Sequence, residues 1–120
     1  TMEGYLRYAE HNQAAFRTIV SGGVGFDVEV HAIRDGVRAT IVAMIADGAY
    51  GRTDISSLAR MGLFAWVCSV EGATLDWIDR PVLTRHQMRE LLVKMLGGAM
   101  RAIEELDPDY PAPPPARRDT

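Results

Sequence analysis

The chain has 120 residues, 48% of them hydrophobic, and a formal net charge of −3 at pH 7. This length predicts one domain with a modest core, and a mildly acidic chain with a single lysine lacks the basic surface that binds nucleic acid backbones. A single cysteine excludes an internal disulfide and is typical of a protein in the reducing cytoplasm. The longest uncharged run of the central apolar segment, residues 61–70, is shorter than the roughly 20 residues of a membrane span.

The first 20 residues predict either one bent helix or two short helices. Tyr5, Tyr8 and Ala9 share a face in the first part, at the i, i+3, i+4 spacing of a helix. Asn12 interrupts the pattern and is suited to cap the helix that follows. Apolar side chains then resume at helical spacing. They are Ala15, Phe16, Ile19 and Val20.

Residues 21–25 form a glycine-rich joint between helical segments. Gly23 and Gly25 match the start of a phosphate-binding loop, but Val28 occupies the place of its third glycine and no strand pattern precedes it. We therefore expect a flexible turn at this joint.

Residues 26–47 predict an amphipathic helix, which Gly48 is expected to end. Polar residues such as His31, Arg34 and Arg38 lie mostly off its apolar face and are expected in solvent. The apolar face carries Phe26, Val30, Ile33, Val37, Ile41 and Met44.

Residues 58–78 predict the central helix, after a short loop in which Thr53, Asp54 or Ser56 is suited to cap it. A helix that is apolar nearly all round is buried on several sides. In a chain this short, we expect one flank to face its own domain and the other to face a second copy of the chain, and the periodicity does not decide which flank does which. One flank carries Met61, Phe64, Cys68 and Leu75, and the other carries Leu63, Trp66, Val70 and Trp77.

Pro81 ends the central helix, and the spacing of Thr84 and Gln87 predicts a capping box that opens a last helix. The apolar side chains of this helix cover more of its surface than one packing partner requires. The proline-rich residues 107–120 predict a solvated tail, so the folded domain is expected to span residues 1–106. The apolar positions of the last helix are Met88, Leu91, Leu92, Met95, Leu96, Ala99, Met100 and Ile103.

No pattern of catalytic or metal-binding residues stands out in the sequence. The histidines are far apart and lack metal-ligand spacing, and Cys68 is expected to be a buried thiol. Glu71 has two interpretations: it faces a narrow polar edge beside Arg60, or it is a polar anchor inside a pocket or an interface. With no nucleophile motif, nucleotide loop or acid pair, we predict neither an enzyme nor a metal or cofactor.

The order of these segments resembles a known protein family. It runs from YLRYAEHNQAAFR through a glycine-containing break to HAIRDGVRATIVAMIADG, then to MGLFAWVCSVEGATLDWI and, after a proline-containing turn, to LTRHQMRELLVKMLGGAM. This order resembles the C-terminal regulatory domain of TetR-family transcriptional regulators, over about residues 5–106.

The resemblance implies an all-α bundle of four to five helices that senses a small molecule and forms a homodimer. In this family the last two long helices form an antiparallel hairpin, which pairs with its copy as an intersubunit four-helix bundle. The ligand cavity lies among the preceding helices and the inner flank of the first long one. These residues contain no helix-turn-helix segment, so the resemblance assigns DNA binding to an N-terminal part of a longer parent protein.

Together, the apolar pattern and the resemblance predict two sites, without a cofactor. The first is a pocket for a hydrophobic or aromatic effector, and the second is a homodimer interface. The pocket is predicted to contain Phe16, Phe26, Val30, Ile33, Val37, Ile41, Met61, Phe64 and Cys68. The interface is predicted to contain Trp66, Val70, Trp77, Leu92, Met95, Leu96, Ala99 and Ile103.

Effector binding is expected to favour one angle of the helix at residues 26–47, and so to reset the spacing of two DNA-binding heads in the parent protein. Two other functions remain open at the level of the sequence. One is a helical interaction bundle whose apolar residues fill a solid core, and the other is a small helical enzyme.

Overall fold

The computed structural model describes residues 1–21 and 27–107. The described residues form α1 (Met2–His11), α2 (Gln13–Ser21), α3 (Val28–Tyr50), α4 (Ser57–Asp79) and α5 (Arg85–Leu106), with no strand among them, which confirms the all-α class. Two parts of the chain lie outside the described residues. The first is residues 22–26, which include all but the first residue of the predicted glycine-rich joint as well as Phe26, and the second is residues 108–120 of the predicted tail. No helix in the described ranges is long and apolar enough to cross a membrane.

The first two helices are separate, as one of the two sequence interpretations predicts. Thr1 begins α1, because its side-chain oxygen accepts a hydrogen bond from the Gly4 amide at 3.1 Å. Asn12 stands between α1 and α2, and its side-chain amide donates to the Tyr8 carbonyl at 3.2 Å. The sequence prediction that Asn12 caps the following helix is therefore wrong, since its side chain satisfies a carbonyl at the end of α1.

The third helix is longer than predicted. Asp27 caps its start by accepting from the Val30 amide at 3.1 Å. The helix continues through Gly48 to Tyr50, and Gly51 ends it with a left-handed φ of 72°. Gly48 does not end the helix because the extra turn places Tyr50 in the core, where it is 2% exposed.

Both long helices begin with the caps that the sequence offers. Among the three candidates for α4, Ser56 is the cap and accepts from the Ala59 amide at 3.1 Å. The predicted capping box of α5 is confirmed: Thr84 accepts from the Gln87 amide at 3.1 Å, and the Gln87 side chain accepts from the Thr84 amide at 2.9 Å.

Helix α4 contacts each of the other four helices, so the prediction that it is covered on several sides is confirmed. The Trp66 indole donates to the Leu92 carbonyl at 3.0 Å, and the Trp77 indole donates to the Leu83 carbonyl at 2.8 Å. Near the start of α4, a Cβ atom on Gly62 would lie 2.7 Å from the Ile103 side chain near the end of α5. The two long helices therefore run in opposite directions, and the Ile103 side chain packs directly on the α4 backbone at Gly62.

Ion pairs fix the two short helices against the ends of the long ones. Arg85 at the start of α5 binds Glu3 at 2.8 Å and Glu10 at 2.6 Å, both on α1. Arg17 on α2 binds Asp79 at the end of α4 at 2.6 Å. The Arg17 guanidinium lowers the pKa of the Asp79 carboxyl below its ordinary value. These contacts hold α1 and α2 where they form one side of the cavity described next.

Candidate ligand-binding cavity

A cavity of about 790 Å³ lies between the five helices. This volume is within the range of roughly 300–1,000 Å³ that holds small molecules in proteins. The lining is almost entirely apolar. It consists of Thr1, Met2, Gly4, Tyr5 and Tyr8; Phe16, Ile19 and Val20 from α2; Arg34, Val37, Ile41, Met44 and Ile45 from α3; Trp66, Val67, Val70 and Glu71 from α4; and Val93 and Leu96 from α5.

The α4 side of the cavity is rigidly positioned. Trp66, Val67 and Val70 are buried and lie on one face of the helix at i, i+1, i+4. The bond from Trp66 to the α5 backbone fixes the orientation of its ring. A preformed apolar wall of this kind suits a hydrophobic ligand, because it need not rearrange before binding.

The opposite side of the cavity is held by aromatic contacts between the two short helices. Tyr5 and Phe16 meet edge to face, with ring centroids 5.6 Å apart and an interplanar angle of 81°. Burial raises the pKa of the Tyr5 hydroxyl far above its ordinary value, so this group stays neutral over the whole physiological range. Tyr5 therefore offers a neutral hydroxyl to the cavity.

A paired carboxylate forms one polar spot in the cavity wall. Glu71 is 7% exposed and accepts hydrogen bonds from Arg38 Nε at 2.9 Å and from Arg38 Nη2 at 2.6 Å. The same carboxylate raises the pKa of Arg38. The sequence left two interpretations of Glu71, and the structure shows the buried polar anchor. Arg60, the partner in the other interpretation, lies over the Phe64 ring, 5.5 Å from its centroid.

Arg34 forms a second polar spot, and here the pairing is incomplete. Its Nη2 atom lies 3.0 Å from His31 Nδ1, and its Nε atom lies 3.5 Å from the Asp35 carboxylate. Arg34 Nε is buried and makes no hydrogen bond. The sequence interpretation placed Arg34 in solvent, although it stands four residues after Val30 and three before Val37, at the edge of the apolar stripe.

The predicted pocket residues fall on two different sides of the protomer. Phe16, Val37 and Ile41 line the cavity. Val30 and Ile33 stand nearer the start of α3, outside the cavity lining. Met61, Phe64 and Cys68 are also outside the lining. Met61 is 54% exposed, whereas Phe64 is half-buried and its ring centroid lies 5.8 Å from the Arg38 guanidinium of α3.

The predicted interface residues are mostly inside the protomer. Trp66, Val70 and Leu96 line the cavity, Ala99 is half-buried, and Met95 is 42% exposed. The buried core contains Trp77, Leu92 and Ile103. Within the protomer, the tryptophan flank of α4 therefore belongs to the core and the cavity wall.

The sequence interpretation missed Tyr5, Val67 and Arg34 as cavity residues. Tyr5 was assigned to a helix face, but nothing in the local pattern indicates that α1 folds back over α4. Among the described residues, no three potential metal ligands come together.

One comparison with known proteins gives a match. The family model described as tetracyclin repressor-like, C-terminal domain, matches residues 1–97. Searches of curated proteins and of solved structures give no significant match. Since the family model covers most of the chain, and the fold is all-helical around a cavity, the chain belongs to the tetracyclin repressor-like C-terminal domain family and is a regulatory ligand-binding domain of a TetR-like regulator.

Proposed function

We propose that this domain senses a hydrophobic small molecule in the cavity between its helices, and that it acts as a homodimer in a TetR-like regulator. The observation that carries the first part is the cavity of about 790 Å³ with its nearly continuous apolar lining. A closed core of the same residues would leave no such space, since protein interiors pack to high density.

Effector binding in this cavity would affect the position of three helices at once. Tyr5 on α1, Val37 on α3 and Val70 on α4 all line it. A ligand that contacts all three favours the arrangement in which the contacts are best, so it shifts the population of α1 and α3 positions relative to α4. In the parent protein, this shift would reach the DNA-binding part through the helices nearest to it.

The proposed dimer surface is the flank of the two long helices that faces away from the cavity. On α4, Met61, Ala65 and Gly72 share this flank and are exposed. On α5, the residues with the same outward direction are Leu91, Met95 and Ala102. We name these six residues the outer face.

The chemistry of the outer face supports the proposal. Leu91 and Met95 are 48% and 42% exposed and Met61 is 54% exposed, so the outer face groups three large apolar side chains in contact with solvent, as interaction surfaces do. A Cβ atom added at Gly72 would meet nothing within 4 Å, so a neighbouring helix has room to approach closely there. Two copies related by a two-fold axis would cover both helices with one self-complementary contact.

Ligand binding is tested by thermal shift with a panel of aliphatic and aromatic compounds. A compound at 100 times its Kd stabilises the native domain by about 2.7 kcal/mol, which raises Tm by several degrees. We expect Val37→Trp to abolish this rise, because Val37 is partly exposed on the cavity wall and an indole there occupies the ligand space.

Val28→Trp is the matched control, since Val28 is on the same helix, is 71% exposed and lies outside the cavity lining. It should keep the ligand response of the unmodified domain. If no compound class raises Tm, the sensor proposal fails and an interaction bundle without ligand becomes the better explanation.

A further inference from the structure

We infer that Arg34 makes the cavity selective for amphipathic acids, molecules with an apolar body and a carboxylate at one end. The inference rests on the proposed ligand-binding function and adds the chemical class of the ligand.

The state of Arg34 is the first reason. Its side chain is 18% exposed, and its Nε atom is buried without a hydrogen bond. A buried donor without a partner is rare in native proteins and calls for a specific explanation. The guanidinium has five N–H donors, of which the contacts to His31 and Asp35 use only a part.

The distribution of charge around the cavity is the second reason. Glu71 is the carboxylate in the cavity lining, and it is already held by Arg38 through both its oxygens. Asp35 approaches both arginines, at 3.5 Å from Arg34 Nε and 4.0 Å from Arg38 Nη1, but its side chain is 65% exposed and therefore well hydrated. His31 accepts from Arg34 through Nδ1 and brings no negative charge. Arg34 is thus a cavity cation without a buried counter-ion.

The geometry of the wall gives the expected pose of such a ligand. A guanidinium binds a carboxylate with two parallel, charge-assisted hydrogen bonds, whereas a hydroxyl offers a single uncharged oxygen. With its carboxylate at Arg34, an alkyl or aryl body would lie along Val37 and Ile41, which follow Arg34 on the same face of α3. The apolar lining then excludes water from the ion pair, which strengthens it.

The test compares decanoate, below its micellar concentration, with decanol, below its solubility limit, by calorimetric titration of the whole chain. The two probes share the alkyl body and differ in the head group. We expect the unmodified domain to bind decanoate at least tenfold more tightly than decanol, the ratio typical of one charge-assisted hydrogen bond. Arg34→Gln should remove this preference while decanol still binds, and Arg34→Lys should keep part of it, because a lysine keeps the charge without the planar fork.

Arg89→Gln is the matched control, because Arg89 is an arginine on α5 that lies outside the cavity lining and pairs with the neighbouring Glu90. It should leave the decanoate preference unchanged. Equal affinity for decanoate and decanol in the unmodified domain overturns this inference and leaves the hydrophobic sensor intact. Failure of both probes and of the whole thermal-shift panel overturns the sensor and this inference together.

Discussion

At the scale of single residues, the Arg38–Glu71 pair contributes both to the cavity wall, through Glu71, and to the stability of the fold. Both side chains are largely out of water, at 17% and 9% exposure. A charge in this position needs its partner, because the cost of removing it from water is repaid only by a close, hydrogen-bonded counter-charge. The pair also joins α3 to α4 at the edge of the cavity.

We therefore predict that Glu71→Ala destabilises the domain by about 3 kcal/mol, at the low end of the range for breaking a buried pair because Arg38 keeps some contact with water. Urea unfolding followed by circular dichroism measures the loss. Glu90→Ala is the control: its pair with Arg89 is half exposed, and its removal should cost well under 1 kcal/mol.

The double variant Arg38→Met, Glu71→Leu distinguishes the contribution of the charges to stability from the contribution of side-chain packing. It should recover most of the stability lost in Glu71→Ala, since two apolar side chains of similar size leave no uncompensated charge. A single Glu71→Ala loss no larger than that of Glu90→Ala would contradict the buried-pair explanation.

At the scale of the elements, the distance between α4 and α5 depends on Gly62. The absence of a side chain lets Ile103 pack directly on the α4 backbone, and a Cβ atom there would be 2.7 Å from both Cδ1 and Cγ1 of Ile103. The isoleucine end can move slightly, but the contact involves two of its atoms. The two helices must therefore separate or Ile103 must leave its rotamer when a side chain is added.

We predict that Gly62→Ala lowers the stability by about 1 kcal/mol, because an overpacking cost of about 1–3 kcal/mol exceeds the gain in helix propensity of about 1 kcal/mol. Thermal unfolding measures the change. Ile103→Ala removes both Cδ1 and Cγ1, so Gly62→Ala should cost less stability in the Ile103→Ala background than in the unmodified domain.

Gly48→Ala is the control, and its effect on stability should have the opposite sign to that of Gly62→Ala. Gly48 is inside α3, and a Cβ atom there meets nothing within 4 Å. This substitution should stabilise the domain by up to about 1 kcal/mol through helix propensity. Similar gains from both alanine substitutions would show that α5 does not pack closely on Gly62.

At the scale of the whole molecule, the two surfaces of the α4–α5 pair have different proposed roles. The cavity side carries Trp66 and Leu96, and the outer face carries Met61 and Met95. The proposed dimer would place the outer face against its copy, so that the rigid pair of long helices would form the fixed part of the assembly. The shorter helices α1 and α2 lie on the other side, where contacts with the proposed ligand would act on them.

We predict that Met95→Asp reduces the mass measured by light scattering from that of a dimer to that of a protomer, because an unpaired charge would be buried at the proposed contact. Val82→Asp is the control, since Val82 is 86% exposed in the turn before α5 and outside the outer face. A dimer mass that survives Met95→Asp would exclude the outer face as the interface.

Trp77 is unsuitable for the same test. It is 4% exposed and donates a hydrogen bond to Leu83 within the protomer, so Trp77→Asp would unfold the α4–α5 turn before it reported on association.

The sequence by itself determined the number and kind of helices and most of their ends. These depend on local rules: a serine or threonine accepts from an amide three residues on, as Ser56 and Thr84 do, and apolar side chains recur at helical spacing. It also showed that α4 has two apolar flanks and that Glu71 interrupts them. These features are properties of the order of residues along one helix.

Only the tertiary structure decided which flank of α4 faces inward, where α3 ends, that Arg34 lines the cavity, and that Arg38 pairs with Glu71. Periodicity measures angles between residues of one helix and contains no reference direction, so two equally apolar flanks are indistinguishable until other helices pack against one of them. The side of α4 that α1, α2 and α5 cover became the core and the cavity wall. The physical reason is that the burial of a side chain depends on contacts with residues distant in sequence, and these contacts form only when the chain folds.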